Sequence, residues 1–367
     1  MQLIETDPIS GAEIFQLTDD ARNTDNIYGE QPYSSANGNR IAVCHYEDGD
    51  EAAGGLSILD LEDGSSHSIF DETPRFPAMH AWGEYLYNQV DVDARVVLKR
   101  WNFQSLECED ILTLPEIDDR YSYGTVSLDH RYYAVCCHRE DKSSYVICID
   151  ISSGEQRILA HSTSQYYKHE QFSLDGRNRI LIQANASDVS VVNLGVLELE
   201  REGFDWLPVD REPLEPSPKD NWPEGGPYTP RCTGHEAWIG QSDSVFLSTA
   251  YDEEKGTNIW RAASTDNEPA IVCETELQFS HVSVSKCGRY WIGDATREEG
   301  VPVYVGSFES GHCAPLVHSR TEHDSHQWSH THPYFTADSR WLIYTSTRAG
   351  KPQVHGAKVP EGFLDAI

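Results

Sequence analysis

Histidine is the residue type in this chain that most directly suggests chemistry. There are 16, and several recur at one position of a repeated unit: His169 lies six residues before Asp175, His235 six before Gln241, His281 six before Cys287 and His332 six before Asp338. Imidazole titrates near neutral pH and ligates transition metals, so histidines gathered in one place can serve as acid, base or metal ligand. The densest run is His323-Asp324-Ser325-His326-Gln327-Trp328-Ser329-His330-Thr331-His332-Pro333. His330 and His332 alternate by two and so share one face of an extended strand. With His281 they make a three-imidazole set, to which Gln327 can add an amide oxygen. Imidazole suits Zn, Mn, Fe, Ni and Cu, and a neutral oxygen ligand tilts the choice towards harder ions such as Mn2+. Asp324 and Glu236 are carboxylates placed to orient histidines from behind. His80 is a further candidate for the histidine register, although its hairpin is shortened.

The elements that must position these side chains follow from the repeat itself. Its clearest copy is Phe172-Ser173-Leu174-Asp175-Gly176-Arg177 running into Ile180-Leu181-Ile182. Equivalent turns precede apolar runs at Asn37-Gly38, Asp129-His130, Cys287-Gly288 and Asp338-Ser339, with weaker copies at Trp82-Gly83 and Gln241-Ser242-Asp243. Asp, Asn and Gly supply a tight turn, and β-branched and aromatic residues supply the flanking strands. A second strand pair follows each hairpin, as at Tyr145–Asp150 turning at Ser153-Gly154 into Arg157–Leu159. Four strands per unit and seven units predict an all-β fold, a seven-bladed β-propeller. The last unit carries three strands and Glu13–Leu17 is an orphan. Their pairing closes the ring and hides both sheet edges. The chain is therefore expected to form one domain over residues 1–367, with a Pro-rich, charged loop at 201–231 between blades four and five. In such a disc the first strand of each blade lines a central channel, so the in-register histidines converge at one of its mouths.

Composition narrows the partners. The 60 acidic and 28 basic residues leave a net charge of −32. That surface repels phosphate backbones and anionic bilayers, so neither nucleic acid nor membrane is an expected partner. No run approaches the ~20 apolar residues of a membrane span, and no apolar core of a signal peptide opens the chain. The nine cysteines fall in strand-like apolar runs, Cys44, Cys136, Cys137 and Cys148 among them. They read as buried free thiols of a cytoplasmic protein.

At its histidines the chain resembles the oligogalacturonate lyases, seven-bladed propellers that degrade short pectin fragments. The specific string is Gln327-x-x-His330-x-His332-Pro333, preceded by His323-Asp324-Ser325 and followed by Phe335-Thr336-x-Asp338. His281-x-x-x-Ser285 and Cys232-Thr233-Gly234-His235-Glu236-Ala237-Trp238 carry two further signatures. The resemblance implies Mn2+ or another divalent transition metal on His281, Gln327, His330 and His332, with His235 as catalytic base. It implies β-elimination on a small anionic oligosaccharide, giving a 4,5-unsaturated uronide. Two departures stand out. Gly234 is inserted before the base histidine, and the family's upstream arginine has no counterpart in Ser187–Leu199, leaving Arg231 or Lys168 to replace it. Lys168, His169 and His80 are the expected substrate-binding side chains.

Other chemistries remain open on the residues alone. A lyase for another uronate linkage would use the same site. A hydrolase would need two carboxylates about 5–9.5 Å apart. A non-catalytic binding or scaffold propeller would need none of these groups. Trp101, Trp206, Trp222 and Trp328 are candidates for sugar stacking, or else for packing between blades and under the long loop.

Overall fold

The structure is a computed structural model that describes all residues except 20–21, 29, 47–52, 71–76, 79–81, 94, 115–119, 187–191, 210–228, 267 and 323–325. His80, Trp222, His323 and Asp324 therefore lie outside the described residues.

The clearest repeat turns are built by a short polar side chain. Ser127 donates to Asp129 at 2.6 Å, Ser173 to Asp175 at 2.7 Å and Thr336 to Asp338 at 2.7 Å. In each case the carboxylate also accepts a backbone N–H two residues on, which satisfies the reversal locally. The residue after the acid takes positive φ, 75° at Gly176 and 58° at His130. These turns join the innermost strand of each blade to its second strand.

Seven antiparallel sheets result. Their innermost strands are Asn23–Asp25, Pro77–Ala78, Arg120–Tyr121 with Thr125–Val126, Gln165–Phe172, Cys232–Trp238, Val282–Val284 and Tyr334–Phe335, for blades one to seven. The ring closes as expected: Glu13–Gln16 pairs with Gln353–Lys358, Ile14 opposite Ala357. Gln2–Thr6 then adds a fifth, outermost strand to blade seven, which the sequence reading had not counted. The long loop expected at 201–231 lies for residues 210–228 outside the described residues. Its first part is no loop: Arg201–Trp206 is the outer strand of blade four, paired with Val192–Glu198. Among the described residues no helix is long and apolar enough to cross a membrane.

The core is distributed rather than central. The second strand of each blade is largely buried on both faces, and an apolar cluster fills every crevice between neighbours. Between blades six and seven, for example, Ile292, Val303 and Val305 pack on Phe335, Leu342 and Tyr344; between blades three and four, Ala134, Cys136 and Val146 pack on Ile180 and Ile182. All four cysteines expected in strand interiors are buried. Trp101 packs in the crevice between blades one and two, and Trp206 stacks on Phe204 at 4.6 Å, so both are packing residues.

Closure depends on Ile14, which is fully buried in the crevice between blades six and seven. Ile14→Ala is expected to lower stability by about 2–5 kcal/mol. A urea titration should show this as an earlier midpoint at unchanged slope.

Candidate active site

The innermost strands bring the four in-register histidines to one channel mouth. A cavity of about 520 Å³ opens there, with Tyr28, Lys168, His169, His235, Gln327 and His332 in its wall. Tyr28 sits among the rings, with centroids 4.6 Å from His332, 5.2 Å from His169 and 6.5 Å from His235. His281 is buried against two of them, 4.7 Å from His235 and 4.6 Å from His332.

Backbone irregularities aim these side chains. An uninterrupted strand would send alternate residues into the crevices. Blade four instead breaks register between Lys168 and Gln171, with His169 at φ 56°. Blade five breaks between Cys232 and Glu236, with Gly234 at φ 90°. Bulges of this kind re-aim a side chain at the cost of local strain. The inserted Gly234 thus has a physical role: it supplies the left-handed residue that turns His235 into the cavity, and a Cβ there would sit 2.2 Å from Gln183 Nε2. His332 is also held at φ 40°, immediately before Pro333.

Ligand atoms of His281, His330 and His332 all lie within 4.8 Å of one another, a spacing that one divalent ion can bridge. His281 Nδ1 donates to Asp294 Oδ2 at 2.8 Å, and its backbone N–H donates to Oδ1 at 2.8 Å. The Thr331 hydroxyl donates to the same carboxylate. This fixes the tautomer that leaves Nε2 with its lone pair, facing His330 Nδ1 at 3.3 Å. A carboxylate behind a ligating histidine is the expected support of a metal centre, and the donor chemistry fits a divalent transition metal. The orienting residue is Asp294, from the second strand of blade six, not one picked out from the sequence. Gln327 enters the cavity wall from the short turn Gln327–Ser329, and Trp328 beside it stacks with Tyr46 and His326.

A second buried cluster holds Glu30, His169 and Glu236, also with ligand atoms within 4.8 Å. It is closed by a proton instead. His169 Nδ1 lies 3.1 Å from Glu30 Oε2 and 3.6 Å from Glu236 Oε1. Burial pulls His169 towards neutrality, but Glu30 and Glu236 outweigh it and hold its pKa up at about 9. Burial pushes Glu30 the other way, yet the charged His169 and bonds from both imidazoles bring it to about 2. A protonated imidazole has no lone pair for a metal. His169 is therefore an ion-pair partner first, and its charge is largely consumed by the two glutamates. Glu236 faces His169 across 3.6 Å, a charge contact without a hydrogen bond among the described residues.

Glu30 Oε1 accepts from His235 Nδ1 at 3.0 Å. That bond presents the opposite nitrogen, Nε2, as an acceptor. Burial, with the nearby imidazole of His281, lowers the His235 pKa despite Glu30, so the ring is neutral at physiological pH. A neutral, oriented imidazole next to a metal triad is equipped to remove a proton.

Lys168 lines the cavity and is the one lysine or arginine among the described residues to do so. Arg231 does not line it. Arg231 is exposed and lines a separate cavity of about 480 Å³ between blades five and six, which shares Thr233 with the histidine cavity. Tyr28, Glu30, Tyr123 and Asp294 are the site residues that the sequence reading missed. Tyr123 was legible, since it lies six residues before Asp129, at the histidine position of blade three.

No protein-family model matches the sequence, and no curated protein matches it. Solved structures do. An oligogalacturonate lyase from Vibrio parahaemolyticus superposes with a TM-score of 0.74 at 17% identity, covering 98% of this chain and 97% of its own. An oligogalacturonate lyase in complex with manganese gives a TM-score of 0.74 at 18% identity, over 98% and 96%. The β-propeller domain of the trilobed protease from Pyrococcus furiosus gives 0.55 at 10% identity, over 90% and 94%. At such identities these likenesses establish the propeller fold.

Gly234→Ala forces a Cβ onto a left-handed residue and into Gln183. It is expected to cost about 1–3 kcal/mol and to displace His235, with the loss of stability read in urea and the displacement in lost turnover. The His169 ion pair predicts a pH dependence. Its folded pKa is raised from 6.5 to about 9, so the stabilisation is complete below 6.5 and is lost as pH rises through about 9. Thermal midpoints should fall across that window in the native chain and stay level in His169→Gln; equal alkaline slopes would contradict the pairing.

Proposed function

We propose that this propeller is a metal-dependent lyase that cleaves short uronate oligosaccharides, oligogalacturonate among them, by β-elimination. The observation that carries the reading is the convergence of His235, oriented by Glu30, with the triad His281, His330 and His332 held from behind by Asp294. The fold likeness to oligogalacturonate lyases supports it, as does the manganese named for one of them.

His281, His330 and His332, with the Gln327 amide oxygen, would hold a divalent ion such as Mn2+, which when bound would supply Lewis acidity towards a uronate carboxylate and so acidify the adjacent C5 proton. Lys168 adds positive charge at the rim and draws the carboxylate in. His235 Nε2 takes the C5 proton while its Nδ1–H stays on Glu30. The C5–H electron pair becomes the C4–C5 double bond, and the C4–O bond breaks with its pair going to the departing sugar oxygen. Glu30 then faces an imidazolium and stabilises it, as a carboxylate behind a general base does. Tyr28 keeps its phenolic proton, since burial and the charges of Glu30 and Glu236 hold its pKa well above 10.

A hydrolase is less well served. The two buried glutamates lie too close together and are both committed to His169, so neither flanks a scissile bond. A lyase for a different uronate linkage remains the nearest alternative, because Arg231 lies outside the cavity and substrate anchoring falls to Lys168.

The test is the ultraviolet absorbance of the conjugated product formed from di- and trigalacturonate with Mn2+. Absorbance should rise, fall to background with chelator, and drop by about 10²–10⁴-fold in His235→Ala, as removal of a general base requires. No rise on any uronate oligosaccharide in metal-loaded protein would overturn the reading.

A further inference from the structure

A second cavity adjoins the histidine cavity and shares Lys168 with it. It encloses about 390 Å³ between blades three and four, with His138, Arg139, Lys142, Tyr166, Lys168 and Asn185 in its wall. In a chain of net charge −32, a pocket wall carrying three cations and no carboxylate is unexpected. Among the described residues, Arg139, Lys142 and Lys168 each lack an ion-pair partner. Of the acids in this loop, Glu140 is exposed and outside the pocket wall, and Asp141 feels the charge of Arg139, but its carboxylate is turned to the Ser143 hydroxyl at 2.6 Å and the Ser143 N–H at 2.9 Å. Arg139 is held over the Tyr145 ring, 4.9 Å from its centroid.

The wall also carries sugar-binding chemistry. Tyr166 and Lys168 are two residues apart on the innermost strand of blade four and share a face. Tyr166 stacks on His138 with centroids 3.7 Å apart and planes within 9°, yet remains 44% exposed. A braced, exposed aromatic ring suits the apolar face of a pyranose. Asn185, opposite Tyr166 in the strand register, has a buried Oδ1 that accepts no hydrogen bond from the described residues and can take one from a sugar hydroxyl.

The cavity on the opposite flank carries Arg231 and Arg297 but also Glu253, which disfavours an anionic chain. We infer that the cavity between blades three and four is a second uronate subsite, in which Arg139 and Lys142 hold a carboxylate, Tyr166 stacks on the ring, and Lys168 stands between the two sugar units. This rests on the uronate-lyase reading and extends it to a direction of substrate binding across the disc.

Binding, not turnover, tests it. Titration calorimetry with trigalacturonate on Mn2+-loaded His235→Ala protein sets the reference. Adding Arg139→Ala and Lys142→Ala should weaken that binding by about tenfold or more, the equivalent of one charge-assisted hydrogen bond. Tyr166→Ala, which leaves all charges in place, should weaken it too. Lys142→Ala alone serves as the variant least able to disturb folding, because Lys142 is exposed. Unaltered affinity in these variants would overturn the subsite while leaving the lyase reading intact. Failure of the reference protein to bind trigalacturonate at all would overturn the subsite, and the lyase reading would fall with it only if no uronate oligosaccharide gave turnover in the native protein.

Discussion

One buried carboxylate ties the working face of this propeller together. Glu30 comes from blade one, yet its two oxygens engage His169 of blade four and His235 of blade five. A charge removed from water is tolerated only when paired and hydrogen-bonded, and here both conditions are met by imidazoles that the mechanism needs in fixed positions. The arrangement therefore couples stability to geometry. The same bond that compensates the buried charge sets which nitrogen of His235 faces the substrate. Asp294 does the equivalent for His281, with a backbone N–H, the imidazole and the Thr331 hydroxyl all directed at it. The two imidazoles are oriented by separate carboxylates, which suits the different tasks proposed for them, one as proton acceptor and one as ligand.

The fold makes this possible by separating the two jobs. The crevices between blades hold the apolar clusters, and the inner strands contribute to them from one part of their length, as Phe172, Trp238 and Phe335 do, while their irregular residues face the cavity. Positive φ at His169 and His332 is strain of about 1–3 kcal/mol per residue by general experience, while Gly234 takes the same region without a Cβ to strain it. A fold whose core lay on its axis would have less room for such residues. The bulges are what let side chains from strands in different blades meet in one cavity.

Much of this was legible from residue order alone. The turns, the strand patterns they separate and the N-terminal closure follow from local chemistry: at four of the seven turns Ser or Thr is followed two residues on by Asp or Asn and then by a residue of positive φ, Gly38, His130, Gly176 and Ser339. The imidazole set was legible because histidine recurs at one distance from those turns. Tyr28 and Glu30 obeyed no such rule. They lie in an irregular segment between the first two strands of blade one, and only the closed ring brings them opposite blades four and five. Asp294 was hidden for another reason, since a second-strand carboxylate looks like any polar residue near a strand end until His281 is seen beside it. The outer strand Arg201–Trp206 was read as loop because its charges are those of a solvated edge.

The net charge presents the remaining problem of physics, since a chain of −32 should repel the uronates it is proposed to cleave. Long-range repulsion acts across water and is screened within about 8–10 Å at physiological ionic strength, so the charge lining the cavity decides the final approach. At that range the balance reverses. Asp25 is in the cavity wall, but burial holds its pKa up at about 8, which keeps its charge down; Glu30 and Glu236 lie beside the cavity on the His169 side, and Glu30 is neutralised by His169; Asp294 is committed to His281 and Thr331; Lys168 lacks an ion-pair partner among the described residues. The proposed metal adds a further double charge. The acidic surface then acts as a filter rather than an obstacle. It disfavours polyanions that would lie over the whole disc and leaves access to short chains whose few carboxylates fall within reach of Lys168, Arg139 and Lys142.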